Sequence, residues 1–215
     1  MLNRGIKVSN QKVQNRKYSW VYKWGELTRL KKLAKFSNGK VLDIGYSGQP
    51  NPFLKGAYGL DVYVPDKKPQ NYIKLVKVNT NKPYRYPFKD NFFDCVIAGE
   101  VIEHIPNLDA FMKEVHRILK HNGIFCLSTP NPESPVEVLI HLWHWIKGYD
   151  FTNGAKGYHV HEFPTTNMIS LLNIYGFKPF KIEGSYIQIP FTQIQIPLNL
   201  VPLTYCTIYL ARCKK

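Results

Sequence analysis

The chain has 215 residues, of which 44% are hydrophobic and 20% charged. That is enough for one domain with a core that needs no disulfide or metal staple, and it excludes wholesale disorder. No run approaches the ~18 uninterrupted apolar residues of a membrane span, and the N-terminus lacks the apolar stretch and small-residue cleavage site of a secretory signal. The formal charge of +14 is unevenly placed: residues 1–40 hold eleven Lys or Arg against Glu26 alone, a net +10. Such asymmetry points to an anionic partner (nucleic acid, an acidic membrane surface or a phosphorylated substrate), with a merely solvated basic arm as the plainer alternative.

Residues 1–17 are polar, with little apolar periodicity, and read as a flexible basic arm; residues 18–215 read as a single domain. Tyr18 to Phe36 is predicted helical, because Val21, Trp24, Leu27, Leu30 and Leu33 recur at three- and four-residue spacing, and Ser37-Asn38-Gly39 stops it. Strands follow at Lys40–Gly45, Ala57–Val62, Tyr72–Val78 and Phe92–Ala98. A helix is predicted over Asp109–Lys120, closed by Asn122-Gly123, then a strand over Ile124–Ser128. Pro135–Lys147 is an aromatic, helical insertion, apolar nearly all round. A helix so patterned is ordinarily buried, so core packing or a dimer contact is its first expectation, and a lipid-facing or substrate-covering lid its second. A helix over Thr165–Tyr175, a strand over Phe177–Glu183, an apolar stretch broken by Pro190, Pro197 and Pro202, and a strand over Leu203–Arg212 complete the chain. Strands alternating with helices predict an α/β sheet with mostly parallel strands. Cys95, Cys126 and Cys206 lie in apolar runs and Cys213 near the end; without a CxxC pair they read as reduced thiols filling a core in a cytoplasmic protein.

Ligands of such sheets bind beyond the carboxyl ends of the strands. The first strand ends in Asp43-Ile44-Gly45-Tyr46-Ser47-Gly48 and the second in Gly59-Leu60-Asp61, 18 residues after Asp43. A glycine turn admits close backbone approach, and an acid on the next strand accepts hydrogen bonds from a ribose diol. The pair indicates a nucleoside-bearing cofactor, and the lack of G-x-G-x-x-G disfavours a nicotinamide dehydrogenase. Val41-Leu42-Asp43-Ile44-Gly45 resembles motif I of the class I S-adenosylmethionine-dependent methyltransferases. The likeness continues through Pro87–Ile97, Glu100-Val101-Ile102-Glu103-His104-Ile105, Leu119–Gly123 and Ser128-Thr129-Pro130-Asn131-Pro132, and is similar to the type-11 group. It covers about residues 38–132 and returns weakly at His161-Glu162-Phe163 and Gly176-Phe177.

The resemblance implies a Rossmann-like methyltransferase fold, a mostly parallel seven-stranded sheet with helices on both faces, and S-adenosylmethionine as cofactor. It implies that Asp43 and Gly45 hold the methionine end and let the cofactor pass, that Asp61 grips the ribose hydroxyls, that Asn79 falls where an acid often meets the adenine amine, that Gly99 and Glu100 lie beside the sulfonium, and that Tyr46, Ser47 and Val62 also belong to the cofactor site. The sequence departs from the family's D-x-G-x-G-x-G: Ser47 and Gln49 replace the second and third glycines, and Pro50-Asn51-Pro52-Phe53 shortens the usual first crossover helix or replaces it by a loop. Glu103 and His104, in E-x-x-E-H, are candidates for catalysis. The same string resembles metal-binding motifs of small-RNA 2′-O-methyltransferases and ubiquinone-pathway O-methyltransferases. With a metal, Glu100, Glu103, His104 and one of His159 or His161 would be the ligands, but local spacing fixes no third and fourth ligand, so catalysis without metal is expected. The segments Pro135–Lys147 and Tyr158–Phe163 are expected to roof the acceptor site. The function expected is methyl transfer to a small-molecule, lipid-linked or saccharide-linked acceptor. RNA methylation and a non-catalytic binding or scaffold role are the alternatives. The site expected is cytoplasmic, with peripheral membrane association as an extension.

Overall fold

The computed structural model describes residues 6–7, 21–78, 85–148, 159–189, 192 and 194–215. One seven-stranded sheet organises them. Its strands are β1 (Val41–Ile44), β2 (Ala57–Asp61), β3 (Tyr72–Lys77), β4 (Phe93–Gly99), β5 (Leu119–Pro130), β6 (Phe177–Gly184) and β7 (Cys206–Cys213). Their spatial order is β3-β2-β1-β4-β5-β7-β6. The first five pair in parallel, and β7 runs antiparallel to both neighbours, β5 and β6. This is the Rossmann-like methyltransferase architecture, and its strand order reverses direction at β1/β4, where a crevice opens at the strand ends.

The two faces follow from side-chain alternation. Leu42, Ile44, Val96, Ala98, Phe125, Leu127 and Tyr209 point to one face, packed by Phe111, Met112, Val115 and Ile118 of α2 (Leu108–Ile118) and by Met168 and Leu172 of α4 (Thr165–Ile174). The residues between them, Val41, Cys95, Ile97, Cys126, Ile208 and Leu210, point to the other face, under Leu33 of α1 (Trp24–Lys35) and under Tyr46, Leu54 and Tyr72. All four cysteines are free and buried; Cys95 Sγ and Cys126 Sγ touch across β4 and β5 at 4.0 Å. Among the described residues, no helix is long and apolar enough to cross a membrane.

Between β1 and β2 the chain has turns instead of a crossover helix, as Pro50-Asn51-Pro52 predicts. Buried Asn51 anchors this loop by donating from Nδ2 to the Leu30 carbonyl at 2.9 Å, and Asn71 Nδ2 donates to the Asn51 carbonyl at 2.7 Å. Three sequence boundaries are corrected. Val21–Tyr22 does not extend α1; it pairs antiparallel with Ile6–Lys7, inside the stretch read as an arm, whose remaining residues lie outside those described. Helix α2 ends at Ile118, and Leu119 is already extended with ψ 143°, so Gly123 does not cap it; Asn122, at φ 59°, takes the left-handed position within the run of β5. Val201–Leu203 is a 3-10 turn, and the last strand starts only at Cys206. The apolar stretch before it makes a small hairpin, Tyr186–Gln188 against Gln195–Pro197.

Helix α3 (Pro135–Ile146) forms as predicted, with the Ser134 hydroxyl accepting the Glu137 N–H at 3.2 Å. Its placement overturns the expectation of core packing: none of its described side chains is buried.

Candidate active site

A cavity of about 280 Å³ opens where β1 and β4 end, lined by Asp43, Gly45, Tyr46, Gly99 and Glu100 from those strand ends and by Glu26 and Arg29 from α1. Gln49 and Tyr186 also line it, over an apolar floor that includes Leu30, Leu33 and Ile97. Arg29 is 5% exposed. Its guanidinium donates from Nη1 to Ser128 Oγ at 3.1 Å and from Nη2 to Gln49 Oε1 at 2.9 Å. Ser128 Oγ donates onward to Glu100 Oε1 at 2.9 Å, which also accepts from Cys206 Sγ at 3.1 Å. Gln49 Nε2 donates to Glu26 Oε2 at 3.0 Å, and that carboxylate reaches back to accept the Lys23 N–H at the start of α1. So Gln49, standing where a third glycine is usual, joins α1 to the motif I loop through a polar bridge that glycine has no atoms to make.

Asp43 is buried, and its Oδ2 accepts a hydrogen bond from the Tyr72 hydroxyl, which in turn accepts the Asn51 N–H at 3.0 Å. Burial pushes the Asp43 carboxyl up to about 7, against the opposing pull of the Tyr72 bond and the Arg29 charge. Tyr46 lies under Gly59 with its ring 5.2 Å from that of Tyr72, and its hydroxyl is buried without a hydrogen-bond partner. Glu100 takes a left-handed backbone at φ 57°, an unusual conformation outside glycine, often stored at functional sites.

Gly45 is at φ +77°, and a Cβ there would come within 2.3 Å of Val101 Cγ2. Gly45→Ala is therefore expected to cost about 2 kcal/mol, a fall in Tm of ~4–8 °C for a domain of this size. Calorimetric melting checks this, and an unchanged Tm would refute it.

The remaining sequence candidates divide. Asp61 does not line the cavity; its oxygens accept the Ser47 N–H at 3.0 Å and the Tyr63 N–H at 3.1 Å, tying the motif I loop to the end of β2. Ser47 and Val62 also stand outside the lining, with Val62 exposed. Asn79 and Tyr158 lie outside the described residues. Glu103 is buried beside the cavity, accepting from Thr129 Oγ1 at 3.2 Å, while its other oxygen, Oε1, has no hydrogen-bond partner. Burial first, and the Glu100 charge second, push its carboxyl up to about 8. The carbonyl of Glu103 accepts the N–H groups of Val160 and His161 at 2.8 and 3.2 Å, which brings the His159 ring to 5.0 Å from that of His104. Glu103, His104 and His159 offer ligand atoms within 4.8 Å of one another, a set able to gather round a divalent ion. His161 turns instead to the Ile105 carbonyl at 3.1 Å, and Glu100 faces Ser128 and Cys206. Burial and the neighbouring His104 hold the His159 imidazole below its ordinary value, favouring its neutral, proton-accepting form. Sequence reasoning missed Glu26, Arg29, Ser128, Gln49 and Tyr186; the one signal for Arg29 was a cation on the apolar face of α1, between Leu27, Leu30 and Leu33.

Residues 16–181 match the family model described as a methyltransferase domain. The chain belongs to this family. These methyltransferases use S-adenosylmethionine as cofactor. A Thermotoga maritima S-adenosylmethionine-dependent methyltransferase superposes with a TM-score of 0.63 at 17% identity, over 87% of this chain and 88% of that one. The cyclase SpnF shares the fold, with a TM-score of 0.57 at 13% identity over 100% of this chain and 87% of its own; the fold alone therefore does not fix the reaction. In sequence, the chain is 30% identical over 100 residues to the demethylmenaquinone methyltransferase of Alkalihalophilus pseudofirmus, covering 46% of this chain and 38% of that one. It matches 22% of the length of the Staphylococcus saprophyticus protein of the same name, at 45% identity over 51 residues. The chain thus matches less than two-fifths of the length of these curated relatives.

The residues present fit S-adenosylmethionine. Gly45 and Gly99 leave backbone bare at the cavity, Glu26, Asp43 and Glu100 surround it with carboxyl groups, and Arg29 sets one buried guanidinium among them. A ligand with two cationic centres and one carboxylate matches that set in sign.

Proposed function

We propose that this methyltransferase transfers a methyl group from S-adenosylmethionine to a small, lipid-linked acceptor. The observation that carries the cofactor half is the buried Arg29 among Glu26, Asp43 and Glu100 at the ends of β1 and β4. In this reading Arg29 takes the amino-acid carboxylate, Asp43 and Glu26 favour the ammonium, and Glu100 faces the sulfonium. Asp61, already fixed by two backbone N–H groups, has lone pairs left for a ribose diol. When bound, the cofactor supplies an electrophilic methyl on a sulfonium, leaving a neutral thioether after transfer. The chain's share is alignment, worth ~7 kcal/mol or more when geometry is exact, and removal of the acceptor's proton. Neutral His159 with His104, or Glu103 once ionised, accepts that proton. A lipid-linked acceptor is supported by the relatives named demethylmenaquinone methyltransferases and by the apolar side chains exposed around the strand ends.

The test is label transfer. The protein is incubated with methyl-labelled S-adenosylmethionine and, separately, with a bacterial lipid extract, total RNA and an aqueous metabolite fraction. Label is expected in the lipid extract. Label confined to RNA would replace this reading with the one that the +14 charge favours, and label in none would leave the fold as a binding module.

A further inference from the structure

We propose that the edge of the sheet carrying the cavity is a membrane-docking face, on which α3 lies in the headgroup region of an anionic bilayer. Docking deepens the lipid-linked reading and relies on it only for the purpose of the contact. The parallel strands all end on this edge, so the segments that leave or enter there share it with the cavity. Helix α3 follows β5. The Tyr186–Gln188 hairpin strand follows β6, the Val201–Leu203 turn precedes antiparallel β7, and α1 starts at this edge, since Glu26 and Arg29 of its first turns line the cavity.

Exposed large apolar side chains gather on those segments. On α3, Leu139, Leu142, Trp143, Trp145 and Ile146 are exposed, Trp145 at 70% and Trp143 at 45%. Leu200 and Leu203 stand exposed at the turn that packs beside α3, Ile196 on the hairpin, and Trp24, 63% exposed, at the start of α1. Exposed apolar side chains gathered on segments of one sheet edge mark an interaction site. Tryptophan at its rim is suited to the boundary between headgroups and acyl chains. Twelve residues of helix are too few to span a bilayer, whereas an apolar helix can lie in its interface.

Charge selects the occupant. The 23 residues leading to Trp24 contain Arg4, Lys7, Lys12, Arg16, Lys17 and Lys23 and no acidic residue, and Lys147 closes α3. In sequence this basic stretch runs directly into Trp24, where α1 starts at the cavity edge, and basic groups beside an apolar interfacial helix favour an acidic leaflet. A second copy of the chain would instead bring +14 against +14.

Cosedimentation of the full chain with vesicles tests this without an acceptor. One vesicle is pure phosphatidylcholine, the other an equimolar mixture of phosphatidylcholine and phosphatidylglycerol, each at low salt and at 0.5 M salt. Binding to the anionic vesicles is expected, weaker at high salt, and reduced at least 10-fold in a Trp143→Ala/Trp145→Ala double variant whose calorimetric affinity for S-adenosylmethionine is unchanged. Negligible or equal binding to both vesicles, or full binding by the double variant, would overturn the docking face. So would a dimer in sedimentation velocity that the double variant dissolves, since the second copy would then own the surface. Labelled RNA together with vesicle binding would sink the acceptor reading and leave docking standing; labelled lipid without vesicle binding would do the reverse.

Discussion

Arg29→Ala is expected to weaken S-adenosylmethionine binding ~100-fold, about 3 kcal/mol, the upper range for a hydrogen-bonded charge. The guanidinium is buried and held on two sides by Ser128 and Gln49, so it meets a carboxylate without having to be ordered first. Its removal also leaves Glu100 and Glu26 without their central cation, and breaking such a buried network costs ~3 kcal/mol or more of stability. Two comparisons separate binding from folding. Arg29→Lys keeps the charge but cannot span both Ser128 and Gln49, so its affinity should fall between those of wild type and Arg29→Ala. Decarboxylated S-adenosylmethionine lacks the group assigned to Arg29, so its affinity should change little in Arg29→Ala. Equal losses for the two ligands in isothermal titration calorimetry would remove the carboxylate assignment and leave Arg29 as a positioning residue for Glu100.

Part of this cavity was legible because its chemistry sits at strand ends, at Asp43-Ile44-Gly45 and Gly99-Glu100, whereas Asp61, read the same way, lies outside the lining. The strands were legible because Val41–Ile44 and Phe93–Gly99 are largely apolar, interrupted only by Asp43 and Asp94, as strands covered on both faces tend to be. What local pattern could not carry was long-range pairing. Nothing within Cys206–Cys213 marks it as the antiparallel strand between β5 and β6, and nothing near Val21–Tyr22 announces its pairing with Ile6–Lys7. The Arg29–Ser128–Glu100–Cys206 chain joins four segments, up to 177 residues apart in sequence, so no spacing rule reveals it. Helix α3 misled in the opposite direction. Its all-round apolar sequence resembles that of a core helix, and only tertiary placement shows that no sheet face is left for it: α2 and α4 already cover one, α1 and the 45–56 loop the other.

Stability should fall as pH rises from about 5 to about 8, and cofactor affinity should rise over the upper part of the same window. Both follow from two carboxyl groups that the fold holds protonated. Asp43, facing the Tyr72 hydroxyl, Arg29 and Asp61, is pushed up to about 7, and Glu103, facing Glu100, Thr129 and Arg29, to about 8. The folded chain therefore keeps both protons over a range in which the unfolded chain, with ordinary carboxylates, has lost them. Stability is highest below the unfolded values, declines as pH climbs towards the folded ones and levels off above about 8. A gap of about three units corresponds to as much as ~4 kcal/mol per group. His159, held low, opposes the trend near pH 6, but it is exposed and contributes less. Asp90, Asp94, Asp109 and Glu114, held low chiefly by their basic partners, lose their contributions only at more acid pH. Urea midpoints at pH 5, 6, 7 and 8 should therefore decrease, and Asp43→Asn or Glu103→Gln should each flatten part of the slope. The binding consequence has the opposite sign: a cationic ligand favours ionised Asp43, so binding near pH 7 should release a proton. Calorimetry in two buffers of different ionisation enthalpy measures that release, which should vanish in Asp43→Asn and persist in Glu103→Gln. Persistence in Asp43→Asn would move the cofactor's cationic end away from Asp43, towards Glu103.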